Sequence, residues 1–215
     1  MSDTLFRMPG FARRGALGLI VALAGSLLVA APALADTPAE SFVQANVSKG
    51  LTILNNKAEN AEERRTQFQS FILGLTDMKR IAKFTLGQYR RTASPQDQDA
   101  FAAAFQTYAI AVYQSYFNKY SGQTLRVTGS QERSAGDTIV TTQLIDPNDH
   151  SGQPPLEIDF RVLNDNGRFV VIDFSVQGVW LAIEERDQFS SFLGQNNGSI
   201  STLISHLHEL AKNYR

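Results

Sequence analysis

The segment LEIDFRVLNDNGRFVVIDFSV, residues 156–176, contains two strand patterns joined by a turn. In each half, apolar side chains alternate with polar ones, which is typical of a strand with one covered face and one face in water. Asn164–Gly167 supplies the residues of a tight hairpin turn. The alternation places Asp173 opposite the apolar face. The residues predicted to share the covered face are Leu156, Ile158, Phe160 and Val162 in the first strand, and Val170, Ile172, Phe174 and Val176 in the second.

Working outward from this hairpin, the chain divides into a helical half and a sheet half. Residues 125–132 and 138–146 also have strand patterns, whereas apolar residues before position 121 recur at helical spacing. The sequence therefore predicts an α+β fold, with a helical part over about 36–121 and an antiparallel sheet with C-terminal helices over about 122–215. Helices are predicted over 37–56 and 60–75, from Thr76 or Asp77 to about 86, from Ser94 to about 120, and from Ser199 or Ser201 onward.

The first 35 residues have the features of a secretory signal. Arg13 and Arg14 precede a long apolar run, and Ala33-Leu34-Ala35 fits the rule for cleavage after Ala35. A retained membrane anchor is the alternative, because the apolar run is close to membrane-spanning length. The paired arginines also leave twin-arginine export open beside general secretion. The predicted mature chain, 36–215, is long enough to bury one good core.

Candidate catalytic and metal-binding groups are sparse. The 215 residues include no cysteine and no G-x-S-x-G motif, and His206 and His208 stand two apart, so they diverge on a helix. Residues 146–152 (DPNDHSG) lack the spacing of an EF-hand loop and indicate a polar turn. Glu157 and Asp159, like Asp173, are expected on the wet face of the sheet. With a net charge of −1, the chain offers no electrostatic case for nucleic-acid binding. We therefore predict no enzyme activity, no metal and no cofactor.

The aromatic and aliphatic content is high for a chain of this length, with 43% hydrophobic residues. A close-packed core accounts for such residues, and so does a cavity lined by them. Composition does not separate these two interpretations.

Two stretches resemble the MlaC/Ttg2D family of periplasmic phospholipid-binding proteins, the toluene-tolerance family of the bacterial Mla transport system. They are DMKRIAKFTLGQYRRTASPQDQDAFAAAFQTY (77–108) and VIDFSVQGVWLAIEERDQFSSFL (171–193), with GSISTLISHL (198–207) after them. The positions that carry the resemblance are Asp77, Ile81, Ala82, Leu86, Gly87, Tyr89, Arg90, Ser94, Pro95, Phe101, Phe105, Gly178, Val179, Leu181, Arg186, Phe189, Leu203 and Leu207.

The resemblance implies a periplasmic lipid carrier with no catalytic activity. Its helices would pack on a twisted antiparallel sheet, in an NTF2-like cone that encloses an apolar cavity for acyl chains. The implied partners are phospholipid, an inner-membrane ABC transporter complex with its MCE protein, and an outer-membrane lipoprotein and porin complex. The cavity lining expected from the pattern and the resemblance comprises Phe71, Leu75, Phe101, Phe105, Tyr108, Val140, Leu144, Ile158, Phe160, Val162, Val170, Ile172, Phe174, Val176, Val179 and Leu181.

The sequence departs from the family pattern near the end of the sheet. Trp180 stands where a small polar residue is usual, and Glu184-Glu185 replaces a more neutral pair. Trp180 is a candidate for the rim of the cavity. These departures leave hopanoid, a polycyclic lipid, open as the ligand. A small-molecule enzyme on the same fold and a structural adaptor with a filled core are the alternatives from other classes. Arg80, Lys83, Arg90 and Arg91 form a basic cluster that is either a solvated face or a docking surface.

Overall fold

The computed structural model describes residues 37–117 and 120–214. The predicted signal peptide, with its cleavage after Ala35, lies outside the described residues. The domain boundary at position 36 therefore remains a prediction.

The described residues form a helical half and then a sheet, followed by two more helices. The helices are α1 (Pro38–Asn55), α2 (Ala61–Leu75), α3 (Met78–Thr85), a short 3-10 helix (Gly87–Arg91), α4 (Pro95–Phe117), α5 (Leu181–Gln195) and α6 (Ile200–Lys212). The strands are β1 (Thr124–Ser134), β2 (Asp137–Ile145), β3 (Glu157–Asp165), β4 (Arg168–Val176) and the two-residue β5 (Val179–Trp180). The predicted α+β architecture is confirmed.

Side-chain caps explain why the helices begin where they do. At the start of α1, the hydroxyl of Thr37 accepts a hydrogen bond from the Glu40 N–H, and the Glu40 carboxylate accepts one from the Thr37 N–H. Asn60 and Glu63 form the same reciprocal pair at the start of α2. Such boxes satisfy N–H groups that have no partner within the helix. Asp77 and Ser199, both predicted as helix starts, cap α3 and α6.

The sheet is antiparallel, with the strands in chain order from β1 to β5. Beside the edge of β4, Thr76 forms a parallel bridge to Val171, so the segment between α2 and α3 follows this strand. The turn from β4 to β5 has positive φ at Gln177 (52°) and at Gly178 (79°). Glycine adopts this conformation without strain.

A bulge in β4 changes which residues face which side. Arg161 pairs with Asp173, whereas the next residue of β3, Val162, pairs with Val171. Ile172 is therefore the extra residue, and the strict alternation of the sequence stops there. The prediction that Val170 and Phe174 share one face is corrected, because Val170 pairs with Leu163 and Val171 takes the position beside Val162.

The larger of two buried clusters lies among the helices. Phe101 and Phe105 of α4 contact the edge-on ring of Phe189 from α5, with ring centroids 5.9 and 6.3 Å apart. Leu203 and Leu207 of α6 are fully buried in the same cluster. Helices α3 to α6 thus form a filled core that does not involve the sheet.

The smaller cluster lies between α1 and the sheet. Ala39 and Val43 of α1 pack on Val140, Val162 and Val171, which come from three adjacent strands. Val140 and Val162 are 0% and 1% exposed. This contact fixes the N-terminal half of α1 on the sheet and leaves space beside it.

Candidate binding site

Two apolar pockets lie between the sheet and the helices. The first has a volume of about 310 Å³ and the second about 420 Å³, which is within the size range of small-molecule sites. The two pockets share part of their walls and so are adjacent. The residues that line both are Phe68, Ile72, Leu75, Leu125, Phe160 and Val171.

The first pocket, here called the α1 pocket, is bounded by α1, α2 and the strands β1 to β4. Its polar lining residues carry no charge. They are Asn46, Tyr120, Gln123 and Thr124. The apolar remainder consists of Phe42, Val43, Val47, Gly50, Leu51, Leu54, Phe71 and Leu144 together with the six shared residues.

The second pocket, here called the α4 pocket, is bounded by α2, α3, α4, the start of α5 and the strands β1, β3 and β4. Most of its lining is again apolar, but two carboxylates, Asp173 and Glu185, take part. The remaining members of its wall are Thr76, Ile81, Phe105, Tyr108, Ala109, Val112, Tyr113, Ile158, Ile172, Phe174, Leu181 and Ala182 together with the six shared residues.

Helix α2 is amphipathic and yet has no buried residue. Four of its apolar side chains, Phe68, Phe71, Ile72 and Leu75, line the pockets instead. In a packed protein such a helix face is normally covered by neighbouring side chains. Its apolar face is therefore available for contact with a guest molecule.

The polar groups of the α4 pocket are held in fixed positions. The Tyr108 hydroxyl donates a hydrogen bond to Oε1 of Glu185 at 3.0 Å. Oδ1 of Asp173 accepts hydrogen bonds from the N–H groups of Phe174 (2.9 Å) and Ala182 (3.0 Å), so Asp173 ties β4 to the first turn of α5. Within the described part of the chain, Oε2 of Glu185 is buried and has no hydrogen-bond partner.

Burial changes the acidity of these groups in one direction. Desolvation raises the pKa of Glu185, and the hydrogen bond from Tyr108 only partly opposes the effect. Desolvation likewise raises the pKa of Asp173 against its two backbone N–H partners and the charge of Arg161. The pKa values of the Tyr108 and Tyr113 hydroxyls are raised as well, first by burial and then by the charge of Glu185. The α4 pocket therefore favours neutral groups.

The structure brings many of the predicted lining residues to these two pockets. Phe160 and Leu75 border both. All the predicted residues that line one or both pockets are Phe71, Leu75, Phe105, Tyr108, Leu144, Ile158, Phe160, Ile172, Phe174 and Leu181. Their role in lipid binding remains a prediction.

The other predicted residues lie elsewhere. Phe101 is fully buried in the helical core, and Val140 and Val162 are covered by α1, so these three line neither pocket. Val170 lies on the opposite face because of the β4 bulge, where it borders a polar groove with Arg168.

The last two predicted residues, at the β4–β5 turn, are also outside the pockets. Val176 pairs with Val179, and Val179 is 48% exposed, so neither takes the expected position in a cavity wall. The rim candidate Trp180 is half-buried and absent from both linings.

The sequence did not identify the α1 wall of the α1 pocket or the carboxyl groups of the α4 pocket. The apolar face of α1, including Phe42 and Leu51, was visible as a helical repeat but carries the same pattern as a core helix. Glu185 and Asp173 were missed because a charged residue is normally assigned to solvent. The expected outward position of Asp173 is wrong, since it is 9% exposed and lines the α4 pocket.

Two other residues that the sequence singled out as candidates, Arg80 and His206, contact other side chains of the protein. Arg80 pairs with Asp77 (3.2 Å) and Asp165 (3.4 Å). The ring of His206 stacks on Phe192 with centroids 4.5 Å apart. Among the residues that the structure describes, no cluster of His, Asp or Glu side chains has the arrangement of a metal site.

Comparison with known proteins agrees with this architecture. The sequence profile of the family described as "MlaC protein" matches residues 44–209. The chain belongs to the MlaC family. Both pockets and all six α-helices include residues of the matched region.

A solved structure has a similar fold. The phospholipid-binding protein from Ralstonia solanacearum, determined in complex with a phospholipid, superposes with a TM-score of 0.70 at 20% sequence identity. The match covers 84% of this chain and 99% of that one. At this identity the similarity shows a shared fold. Over residues 37–117 and 120–214, no helix has the length and apolar composition needed to cross a membrane.

Proposed function

We propose that this MlaC-family protein is a lipid carrier that holds phospholipid acyl chains in the α1 and α4 pockets. The observation that carries the proposal is the apolar face of α2, which is only partly buried and borders both pockets. The family membership and the phospholipid complex of the Ralstonia relative support it.

The physical case rests on transfer of hydrocarbon between similar surroundings. Each methylene group withdrawn from water contributes about 0.8 kcal/mol, so a two-chain lipid does not cross an aqueous compartment unaided. An apolar pocket offers acyl chains surroundings close to those of a bilayer. Extraction from the membrane is then nearly neutral in free energy, and partners that load and unload the carrier set the direction of transfer.

We assign the carrier to the periplasm, between Mla-type complexes of the outer and inner membranes. The secretory signal predicted for residues 1–35 supports this location. The inner-membrane partner would be an ABC transporter with its MCE protein, and the outer-membrane partner a lipoprotein and porin complex. We further infer that the protein carries its ligand without transforming it, since the sequence contains no nucleophile motif.

The test is to identify the molecule that co-purifies with the protein. Protein isolated from its native cells is examined by native mass spectrometry, and its lipid extract is analysed separately. We expect one phospholipid per chain. Recovery of a hopanoid would redirect the ligand assignment, and a protein that neither contains nor takes up lipid would contradict the carrier function.

A matched pair of variants connects that result with the pockets. In Ile72→Glu, a charge enters the wall shared by both pockets, whereas Ser70→Glu puts the same charge on the exposed side of α2. We expect Ile72→Glu to lose most bound lipid and Ser70→Glu to retain it. Circular dichroism of both variants verifies that they are folded. Equal lipid content in the two variants would argue against binding at α2.

A further inference from the structure

One oxygen atom of the α4 pocket lacks a partner. Glu185 uses Oε1 to accept the hydrogen bond from Tyr108, while its Oε2 is buried without a donor among the described residues. The other atom in this condition, Oε2 of Glu59, belongs to a residue that lines neither pocket. Buried polar atoms are nearly always paired in native proteins, so an exception at a binding pocket points to a ligand group.

The surroundings of Glu185 restrict what that group can be. Among the described residues that line the two pockets, there is no lysine or arginine, and Asp173 is the only other charged one. A phosphate group would meet carboxylates without a counter-charge. An ammonium group has three N–H donors that need acceptors, whereas Oε2 of Glu185 is the one buried side-chain oxygen without a partner among the described residues that line the pockets.

A hydroxyl group can form a hydrogen bond with Oε2 whether the carboxyl group of Glu185 is ionised or protonated. The charged and titratable groups around Glu185 are Tyr108 and Tyr113 on α4 and Asp173 on β4, with Tyr214 next to Tyr108. Burial raises the pKa of Glu185, so both the carboxylate and the carboxylic acid are relevant. A hydroxyl donates to the carboxylate and accepts from the acid, whereas an ester or ether oxygen only accepts.

We propose that Glu185 gives the α4 pocket a binding position for the hydroxyl group of an otherwise apolar molecule. The occupant class is an aliphatic or polycyclic alcohol whose hydrocarbon part lies against Phe105, Ile158 and Phe174. This inference rests on the proposed lipid-binding function, and the alcohol and a phospholipid acyl chain are alternative occupants of the α4 pocket. It also assigns the phosphate end of any phospholipid to a position away from Glu185, because that end of the pocket is acidic.

The experiment compares two isomers that differ in one hydrogen-bond donor. Purified protein stripped of lipid is loaded with a neutral fluorescent lipophilic dye, and the dye is displaced with 1-dodecanol or with 1-methoxyundecane. At a pH above the raised pKa of Glu185, where its carboxyl group is ionised and only accepts, we expect dodecanol to bind about tenfold more tightly, the effect of one hydrogen bond to a buried carboxylate. This comparison uses the wild-type protein and so does not depend on the folding of any variant.

Three variants test whether the preference for dodecanol depends on Glu185. Glu185→Leu is expected to bind both isomers equally, while Glu185→Gln retains the preference because its amide oxygen and N–H still pair with a hydroxyl. Glu184→Leu changes the exposed neighbour and serves as the matched control. Equal affinity of the wild-type protein for the two isomers, or a preference that persists in Glu185→Leu, would overturn the inference while leaving lipid binding intact. Failure of both isomers to displace the dye would instead contradict the proposed function.

Discussion

Helices α2 and α6 are similar in length and each has an apolar stripe, but they use their apolar faces differently. Helix α6 buries Ile200, Leu203, Leu207 and Ala211 in the helical core. Helix α2 buries none of its residues and turns its apolar side chains toward the two pockets. The same sequence pattern therefore produces a packed helix where neighbours supply the opposite surface, and a pocket wall where they do not.

The largest difference between the two helices is expected from truncation of a leucine. Leu203→Ala opens a cavity in a region with 0% exposure, and such changes typically cost about 2–5 kcal/mol in the free energy of unfolding. Leu75→Ala only enlarges existing pockets, so we expect a loss near the lower end of that range or below it. Urea denaturation of lipid-free protein measures both. Similar losses would show that the pocket wall is packed as tightly as the core.

A second difference is expected in the response to pH, because the α4 pocket contains two carboxyl groups with raised pKa values. In the unfolded chain these groups lose their protons near pH 4, while in the folded protein they retain them to higher pH. The free energy of unfolding should therefore decrease as pH rises from about 4 through the raised values.

Removing one of these carboxyl groups tests that assignment. Glu185→Gln should flatten the decrease in stability with pH, and Glu184→Gln, at the exposed neighbour, is the matched control. Denaturation at a series of pH values between 4 and 8 provides the measurement. An unaltered slope in Glu185→Gln would place the titration at other residues.

Loss of a helix cap should have a smaller effect that differs in kind between the two helices. Asn60→Ala and Ser199→Ala each remove a side chain that accepts a hydrogen bond from the first turn, a change that costs about 1 kcal/mol. In α6 the cost should reduce global stability, since the helix is part of the core. In α2 it should mainly increase local opening, detected as faster amide hydrogen exchange of α2 alone. Equal global destabilisation would mean that α2 unfolds together with the core.

The smallest effect is expected at the exit from the sheet. Val179→Ser changes an exposed residue outside both pockets and should alter the free energy of unfolding by less than about 0.5 kcal/mol. Leu181→Ser, two residues later, places a hydroxyl in the wall of the α4 pocket and should weaken dye binding. Weaker dye binding in Val179→Ser would show that the turn contacts the bound molecule.

The local structure was largely predictable because its signals are local. The strand signal of β3 and the caps at Asp77 and Ser199 depend on neighbours within a few residues, and the structure confirms the strand and both caps. Helix α5 was not predicted, since its first turns contain Glu184, Glu185 and Arg186, and its N-cap residue, Trp180, makes no side-chain cap hydrogen bond.

The arrangement of the site was less predictable, because it depends on contacts distant in sequence. Phe101 and Phe105 are one helical turn apart in α4, but Phe101 packs in the core while Phe105 also reaches a pocket. Nothing in their spacing distinguishes them. The position of Glu185 depends on Tyr108, which is 77 residues away.

Because of the bulge at Ile172, the alternation of inward and outward side chains in β4 shifts by one residue at that position. C-terminal to Ile172, Phe174 faces inward beside its β3 partner Phe160. N-terminal to Ile172, Val171 faces inward beside its β3 partner Val162. Deleting Ile172 would bring the strand back into a single phase and exchange the inward and outward residues on one side of the deletion. Either the contact of Val171 with α1 or the anchoring of α5 by Asp173 would then be lost. One additional residue thus lets a nine-residue strand support two different helices.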